Sequence, residues 1–283
     1  LYNGTDSVKA GRFHVTFAVP QDINYSGETG KMTLYAYNAD GGKQAHGSEE
    51  RFVVAGGEAL DNDSIGPSIY CYLNSPSFVD GGSVNPAPYF VANISDKDGI
   101  NASGNGIGHD LELVIDGELQ KTYNLNERFQ YDFGSYTKGT TSCFIPELSE
   151  GMHKLKFRAW DILNNSSTVE LTFKVVKGLQ PNLLNLSCTS NPARTSTTFI
   201  LSHDRAGSNI DVEIEVFDMT GRILWSHQES GVAEQSTYTV DWDLTTNAGS
   251  KLSTGVYLYR ARLSSNGSSK ASKAKKLIVI GNN

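Results

Sequence analysis

The chain has 283 residues, of which 28 are glycine, 10% are aromatic and only 19% are charged. This length allows two or three domains that each bury their own core, and the composition is typical of short strands joined by turns, which excludes intrinsic disorder and a mainly helical fold. The net charge of −7, with 14 Lys and Arg against 22 Asp and Glu before residue 179, argues against nucleic acid as a partner.

The three cysteines, Cys71, Cys143 and Cys188, are widely spaced and odd in number. They therefore form neither a Cys-x-x-Cys metal motif nor a complete disulfide framework. A bridge between Cys71 and Cys143 is compatible with the sequence, but buried free thiols are the favoured interpretation. No apolar stretch is long enough for a membrane span, and Leu1 does not begin a signal peptide. Because the opening residues are typical of the middle of a β domain, we expect a fragment of a longer chain.

Residues 1–57 predict the closing strands of a β domain that begins upstream of Leu1. Apolar and polar residues alternate over Phe13–Val19 and again over Met32–Ala36, which is the period-two pattern of a half-buried strand. Arg51–Ala55 predicts a third strand. The Gly- and Asp-rich segment GGEALDNDSIGP at residues 56–67 then predicts a linker.

Residues 66–177 predict a second module. Strands are predicted at Ser68–Leu73, Tyr89–Ile94 and Asp110–Ile115, and the pair Asp116-Gly117 is typical of a hairpin turn. In the later strands the apolar residues again alternate with polar ones, and the predicted inward-facing set is Leu155, Phe157, Ala159, Val169, Leu171, Phe173 and Val175. Strands at this spacing with polar turns are typical of an immunoglobulin-like (Ig-like) sandwich.

Residues 179–283 predict a third sandwich, after a boundary near Lys177–Pro181. Val212, Ile214 and Val216 face inward in one of its predicted strands, and the others are Tyr238–Trp242, Val256–Leu263 and Leu277–Ile280. The last strand is apolar on both faces, so we expect it to be buried within the sandwich or covered by a partner. The chain as a whole is predicted to be all-β, built from tandem Ig-like sandwich modules.

The third module resembles the C-terminal sorting domains of the type IX secretion system in the order and spacing of four segments. They are SNPARTSTTFIL at residues 190–201, VEIEVFDMTGRIL at 212–224, WDLTTNAGSKLSTGVYLYRARL at 242–263 and KKLIVI at 275–280. Within the second segment, Asp218–Gly221 predicts a tight hairpin in which Gly221 takes a positive φ. The resemblance implies a sandwich that addresses a protein to this secretion pathway.

The upstream modules are similar to the segments that follow the peptidase domain in gingipain-related cysteine peptidases of the same system, above all in the sortase branch. The similarity lies in GRFHVTFAVPQDINYSGETGKMTLYAYN at residues 11–38 and DKDGINASGNGIGHDLELVIDG at residues 96–117. It implies a parent cysteine endopeptidase and transpeptidase that cleaves cargo sorting domains and attaches the cargo to lipopolysaccharide. Its active site would lie upstream of residue 1, so no catalytic residue is expected in this fragment.

The same resemblance implies a partner. A sortase is expected to retain its sorting domain as a dock for an outer-membrane β-barrel protein of the PorV type, beside other type IX attachment-complex proteins. Export through the periplasm to the cell surface, in association with the outer membrane, is implied as well. Partner binding is predicted through edge backbone groups and apolar side chains of the last two strands. The predicted residues are Gly255, Val256, Tyr257, Leu258, Tyr259, Lys275, Lys276, Leu277, Ile278, Val279 and Ile280.

Two other chemistries are weighed against structural explanations. Cys143 shares a module with His109 and His153, but it lies in the strand-like run TTSCFIP, which favours a structural thiol over a nucleophile. Carboxylate and amide oxygens that suit calcium crowd one loop, but their spacing is not that of an EF-hand, and turn stabilisation is favoured. These calcium candidates are Asp96, Asp98, Asn101 and Asp110. No cofactor is predicted otherwise.

An alternative is secreted type IX cargo, an adhesin or a gingipain-like protease, whose C-terminal domain is a cleaved sorting signal. It predicts a mature protein that ends near Lys177–Pro181, whereas the sortase interpretation predicts a chain retained to Asn283. Carbohydrate binding by exposed aromatic residues such as Tyr131, Tyr136 and Trp160 is a third hypothesis, which rests only on the general habits of β-sandwiches.

Overall fold

The structure is a computed structural model that describes residues 2–21, 23, 27–38, 42–56, 61–104 and 106–280. The described residues form nineteen strands and two short 3₁₀ helices, Leu119–Lys121 and Asn126–Arg128, with no α-helix among them. The strands are β1 (Thr29–Tyr37), β2 (Gln44–Val53), β3 (Ser68–Leu73), β4 (Ser83–Val84), β5 (Tyr89–Ser95), β6 (Glu112–Ile115), β7 (Thr122–Asn124), β8 (Gln130–Tyr131), β9 (Lys138–Phe144), β10 (Gly151–Trp160), β11 (Ser166–Val175), β12 (Leu183–Cys188), β13 (Thr197–His203), β14 (Asn209–Phe217), β15 (Ile223–Val232), β16 (Thr237–Trp242), β17 (Gly255–Ser265), β18 (Ser268–Ala271) and β19 (Lys275–Val279). The predicted class, all-β with tandem Ig-like sandwiches, is confirmed.

The chain divides into two compact units. Unit 1 contains Leu1–Tyr70, Ala92–Ser142 and Leu155–Glu170, and unit 2 contains Cys71–Val91, Cys143–Lys154 and Leu171–Asn283. The module boundaries expected near residues 57–66 and 177–179 stay predictions. Residues 57–60 of the predicted linker lie outside the described residues.

In unit 1, the predicted strand Phe13–Val19 is wrong, because residues 13–19 join no β ladder. The segment is held in another way. The rings of Tyr2 and Phe17 stack with centroids 5.4 Å apart, and the Tyr2 hydroxyl donates to the Ser135 carbonyl at 3.1 Å. Period-two alternation predicts which side chains share a face, but a strand also needs a neighbour for its backbone groups. Here isolated contacts take the place of a ladder.

The hairpin of β1 and β2 also belongs to unit 1. Tyr35 lies opposite His46 in its antiparallel ladder, and Thr29 lies opposite Val53. The predicted alternation in β1 is confirmed, since every second residue from Gly30 to Ala36 is half-buried. Strand β2 begins at Gln44, well before the predicted Arg51–Ala55 strand. The first half of β2 is polar and pairs with β1 through backbone hydrogen bonds, which the hydropathy of the side chains does not indicate.

Strand β6 is paired on both sides within unit 1, by β7 and by residues of β10. Leu113 lies opposite Phe157 of β10 and opposite Tyr123 of β7. Leu113 and Phe157 are fully buried, as their alternation predicts. After β6 the chain turns at Asp116 and Gly117, whose φ values of +57° and +70° are those of the predicted hairpin turn.

Unit 2 contains the C-terminal sandwich, which consists of two antiparallel sheets. The first sheet has the order β12-β13-β16, and the second has the order β15-β14-β17-β18 with β19 also paired to β17. Phe199 lies at the centre of the core, with its ring 5.8 Å from Trp242 and 5.1 Å from Tyr259 between centroids. The predicted inward residues are buried, among them Val212, Ile214, Val216 and Trp242. Large rings and aliphatic side chains from both sheets thus stabilise this sandwich.

The predicted hairpin at Asp218–Gly221 is confirmed. Gly221 has a φ of +87°, and its N–H donates to the Asp218 carbonyl at 3.0 Å. The Asp218 carboxylate accepts hydrogen bonds from the Thr220 hydroxyl and from the Thr220 and Arg222 N–H groups. These bonds, that of the Thr220 hydroxyl first, lower the Asp218 pKa to about 2. The turn is thus fixed by one ionised side chain and one glycine.

All three cysteines are free thiols, as the favoured interpretation predicts for Cys71 and Cys143, which are buried. Burial raises the pKa of the Cys71 thiol to about 11, so this thiol stays protonated at neutral pH. Cys188 is partly buried beside the C-terminal core.

Candidate partner-binding strands

The two segments predicted to bind a partner are neighbouring strands. Strands β17 and β19 pair antiparallel, with Val256 opposite Ile278 and Tyr259 opposite Lys275. On its other side β17 pairs with β14, where Leu258 lies opposite Phe217. Strand β17 is therefore an interior strand of its sheet, and β19 lies beside it.

Four of the eleven predicted residues have side chains buried in the core of the sandwich. Tyr257, Tyr259, Leu277 and Val279 are buried, and the Tyr257 hydroxyl donates to the Ser253 carbonyl at 2.9 Å. Burial raises the pKa of Tyr259, and a hydrogen bond with Cys188 raises it further. A partner cannot reach these four side chains while the sandwich is folded. They stabilise the strand pair instead.

The remaining predicted residues lie on the outer face or at the strand ends. Val256 is 43% exposed, Lys275 and Lys276 are exposed, and Leu258 and Ile278 are partly buried. Gly255 and Ile280, at the ends of the paired segment, are also partly buried. These are the predicted positions at which a partner could make contact.

The outer edge of β19 is already paired, which the sequence analysis did not predict. The Asn191 side chain accepts the Ile278 N–H through Oδ1 at 2.9 Å and donates through Nδ2 to the Lys276 carbonyl at 2.8 Å. The Ala193 N–H donates to the Ile278 carbonyl, and the Ile280 N–H donates to the Ala193 carbonyl, both at 2.8 Å. Asn191 and Ala193 therefore occupy the place of a further strand. Both residues belong to the segment SNPARTSTTFIL at residues 190–201, but no local pattern in this segment indicates a contact with KKLIVI.

The outer face of the β14–β17 pair changes from charged to apolar along the strands. The Arg260 Nε atom lies 2.7 Å from a carboxylate oxygen of Glu215, which is itself buried. The Arg260 guanidinium also lies over the ring of Phe217, 5.0 Å from its centroid. Beyond this point most cross-strand neighbours are apolar, except that Leu258 lies opposite Lys276. We name these residues the outer apolar row: Phe217, Ile223, Val256, Leu258 and Ile278.

Neither Cys143 nor His153 has the surroundings of a catalytic pair. Cys143 is buried, and its Sγ atom donates to the carbonyl of Phe144 at 3.3 Å. His153 is also buried, with Nε2 2.9 Å from the Ser149 carbonyl and its ring stacked on Phe173 at 5.5 Å. A substrate would not reach either side chain in this fold.

Two of the four calcium candidates, Asp96 and Asn101, accept hydrogen bonds within turns. The Asp96 carboxylate accepts the N–H groups of Asp98 and Gly99, and the Asn101 side chain accepts the N–H of Ser103 at 3.1 Å. Burial, together with the charges of Asp161 and Asp98, raises the Asp96 pKa. Gly104 lies close to the carboxylate of Asp110. Across the described ranges, no three His, Cys, Asp or Glu side chains are arranged to hold a metal ion.

Two of the aromatic residues considered for carbohydrate binding are held by other side chains and backbone groups. Tyr131 is buried, and its hydroxyl donates to the Ile100 carbonyl at 2.7 Å, so its predicted exposure is wrong. Trp160 is partly buried between the His109 ring, at 4.2 Å, and the Arg158 guanidinium, at 5.5 Å. Within the part of the chain that the structure describes, no helix has the length and apolarity needed to cross a membrane.

Neither a protein-family model nor a curated protein matches the chain. Among solved structures, the chain is similar to dimeric latent PorU from Porphyromonas gingivalis, with 38% identity over 94% of this chain and a TM-score of 0.47. It spans 25% of that PorU chain. The 38% identity confirms the resemblance that the motifs at residues 11–38 and 96–117 indicated.

Two other solved structures are more distant. PorZ, described as an essential bacterial surface component of the type IX secretion system of P. gingivalis, is 16% identical over 56% of this chain and 16% of its own, with a TM-score of 0.23. The Ig1-2 module of the Drosophila receptor tyrosine phosphatase DLAR is 10% identical over 75% of this chain and 98% of its own, with a TM-score of 0.27.

Proposed function

Because nearly the whole chain is PorU-like in sequence, we propose that it is the non-catalytic C-terminal region of a type IX secretion sortase and that its C-terminal sandwich docks the peptidase to an outer-membrane partner. The observation that carries this proposal is the 38% identity to PorU over 94% of the chain. The four segments of the sorting-domain pattern, which the structure brings into one sandwich, support the assignment of the dock.

The partner surface proposed here is the outer apolar row together with Lys276. The alternative, addition of a partner strand to the edge of β19, would first have to displace Asn191 and Ala193, which already bind its backbone. Val256 and Ile278 lie opposite each other on the outer face. When a partner removes exposed apolar side chains on a sheet face from water, the free energy of the complex falls, so such side chains favour binding.

The proposed partner is an outer-membrane β-barrel protein of the PorV type, with other attachment-complex proteins of the type IX system close by. The parent protein would be a cysteine endopeptidase and transpeptidase that removes sorting domains from cargo and attaches the cargo to lipopolysaccharide. Its location would be the cell surface, after export through the periplasm. In this proposal the present residues supply attachment and no catalytic group.

The test is binding of the purified chain to a PorV-type barrel in detergent, measured by pull-down. Val256→Asp places a charge in the outer apolar row, and Val232→Asp makes the same change at a 61% exposed position at the far end of β15 in the same sheet. We expect Val256→Asp to abolish binding and Val232→Asp to retain it. Equal binding by both variants, or no binding by the unaltered chain, would overturn the proposed dock.

A further inference from the structure

The segment that enters the C-terminal sandwich is bound by a buried arginine. Arg205, in the loop after β13, is 1% exposed. Its Nη2 atom donates to the carbonyls of Leu179 and Gln180, both at 2.8 Å. One planar guanidinium group thus fixes two successive peptide groups of the boundary where the alternative, cleaved-cargo interpretation would require cleavage.

Asp204 holds the next residues of the same segment. Its carboxylate pairs with Arg205 Nη1 at 2.8 Å and accepts the N–H and the side-chain amide of Asn182 at 2.8 and 3.0 Å. Pro181, between the residues bound by Arg205 and by Asp204, is buried. The side chains of Arg205 and Asp204 therefore bind the segment Leu179–Asn182 directly.

The same loop also contacts the strands that precede the boundary. The Asn85 amide donates to the Ser208 hydroxyl at 3.1 Å, and Asn85 in turn accepts a hydrogen bond from Asn74 at 2.8 Å. Gly207 has a φ of +76°, and a side chain at this position would collide with the ring of Phe144. All of these residues belong to unit 2. The loop thus binds both the boundary segment and the strands before it.

We propose that residues 203–208, which we name the boundary clamp, keep the segment Leu179–Asn182 folded and thereby protect the boundary, including the adjoining Lys177–Gly178 bond, from proteolysis. An endopeptidase needs an extended stretch of several residues around the bond it cleaves, and a clamped segment provides one only after local opening. Because Arg205 and Asp204 are buried together, opening separates a desolvated ion pair from its hydrogen-bond partners. The clamp deepens the proposed function, since a dock serves the enzyme only while the two remain covalently joined.

The test is limited proteolysis of the full chain with a lysine-specific endopeptidase, which needs no docking partner. Cleavage after Lys177 is compared with cleavage after Lys9, an exposed site in unit 1 that serves as the internal reference. The variant is Arg205→Met, and the matched control is Arg194→Met, an exposed arginine of the same sandwich. We expect Arg205→Met to raise the rate at Lys177 relative to Lys9 by about tenfold or more. The control should leave the ratio unchanged.

A milder variant keeps the test decisive if Arg205→Met fails to fold. Asn182→Ala removes an exposed side chain that binds Asp204 and leaves the ion pair in place. We expect a smaller but measurable increase at Lys177, about two- to fivefold. Unchanged ratios in folded Arg205→Met, or in Asn182→Ala when the first variant is unfolded, would overturn the clamp. Loss of barrel binding with an intact clamp would instead count only against the proposed dock.

Discussion

Asn191 pairs with Ile278 as a neighbouring strand would, because its Oδ1 atom accepts the Ile278 N–H at 2.9 Å. Its Nδ2 atom donates to the carbonyl two residues earlier, at Lys276. One side chain thus satisfies both a donor and an acceptor of the last strand, which would otherwise present a free edge. Unpaired edges are the surfaces through which sheets aggregate, so this pairing protects the sandwich as well as stabilising it.

Asn191→Ala should therefore destabilise the protein. The change leaves the Ile278 N–H and the Lys276 carbonyl without their partner, and we expect the free energy of unfolding to fall by about 1–2 kcal/mol. Urea denaturation followed by tryptophan fluorescence measures it. Asn185→Ala, at an exposed position of β12, is the control and should change stability by less than about 0.5 kcal/mol. Similar losses in both variants would show that the edge pairing contributes nothing.

The last strand should behave as core on one face and as surface on the other. Leu277 is fully buried in the core, whereas its neighbour Ile278 lies on the outer face. We expect Leu277→Ala to cost about 2–4 kcal/mol of unfolding free energy and Ile278→Ala less than about 1.5 kcal/mol. The same denaturation experiment compares them. If Ile278→Ala costs as much as Leu277→Ala, the outer apolar row is not a free surface.

The sequence predicts which side chains of a strand are buried better than it predicts which strands pair. Alternation placed Val212, Ile214 and Val216 in the core correctly, because in a strand burial follows from the side-chain period itself. It failed at Phe13–Val19, where the same pattern occurs in a segment that has no strand beside it. Strand pairing is a contact between distant residues, and alternation along one segment carries no information about it.

The candidate site was predictable to a similar extent. The pattern indicated that β17 and β19 are apolar, and the structure pairs them, but it buries Tyr257 and Tyr259 rather than presenting them. The role of Asn191 depends on a contact 87 residues along the chain, which no local signal specifies. Arg205 is a charged residue in a short loop, and such residues are ordinarily exposed. Only the fold shows that the earlier segment at Leu179 and Gln180 packs against Arg205 and accepts its hydrogen bonds.

Acid should weaken the C-terminal sandwich through His203. Burial is the main cause that lowers the His203 pKa, to about 4, and the charge of Arg205 lowers it further, whereas Asp204 opposes the shift. The folded state therefore disfavours the protonated ring. The contribution of neutral His203 to the free energy of unfolding is fully present above the unfolded-state pKa of about 6.5. It is lost as pH falls from there toward 4, and the loss is roughly 3 kcal/mol.

Denaturation at several pH values between 7 and 4 measures this loss. In His203→Asn the side-chain oxygen takes the place of Nδ1, which accepts the Arg205 N–H at 3.1 Å, but the new side chain does not titrate. We expect the variant to lose less stability than the unaltered chain across this interval. Parallel pH profiles for the two proteins would contradict a neutral buried His203.

Gly207→Ala should open the contact between the boundary clamp and Phe144. Alanine is strained at a φ of +76°, and its methyl group would meet the Phe144 ring, so we expect a loss of more than about 1 kcal/mol. The control is Gly231→Ala, since Gly231 has open space around it and no positive φ. In Phe144→Ala the space for the methyl group is restored, so Gly207→Ala should cost less in that background. Equal costs in both backgrounds would exclude the ring contact.

The central claim is that the C-terminal sandwich stays attached as a dock, whereas the alternative is cargo whose sorting domain is removed. Intact-mass spectrometry of the mature protein, isolated from the bacterial surface, tests this most directly. We expect a single chain in which residues 255–280 are covalently joined to the upstream modules. A mature chain that ends near Lys177–Pro181 would contradict it and favour cleaved cargo.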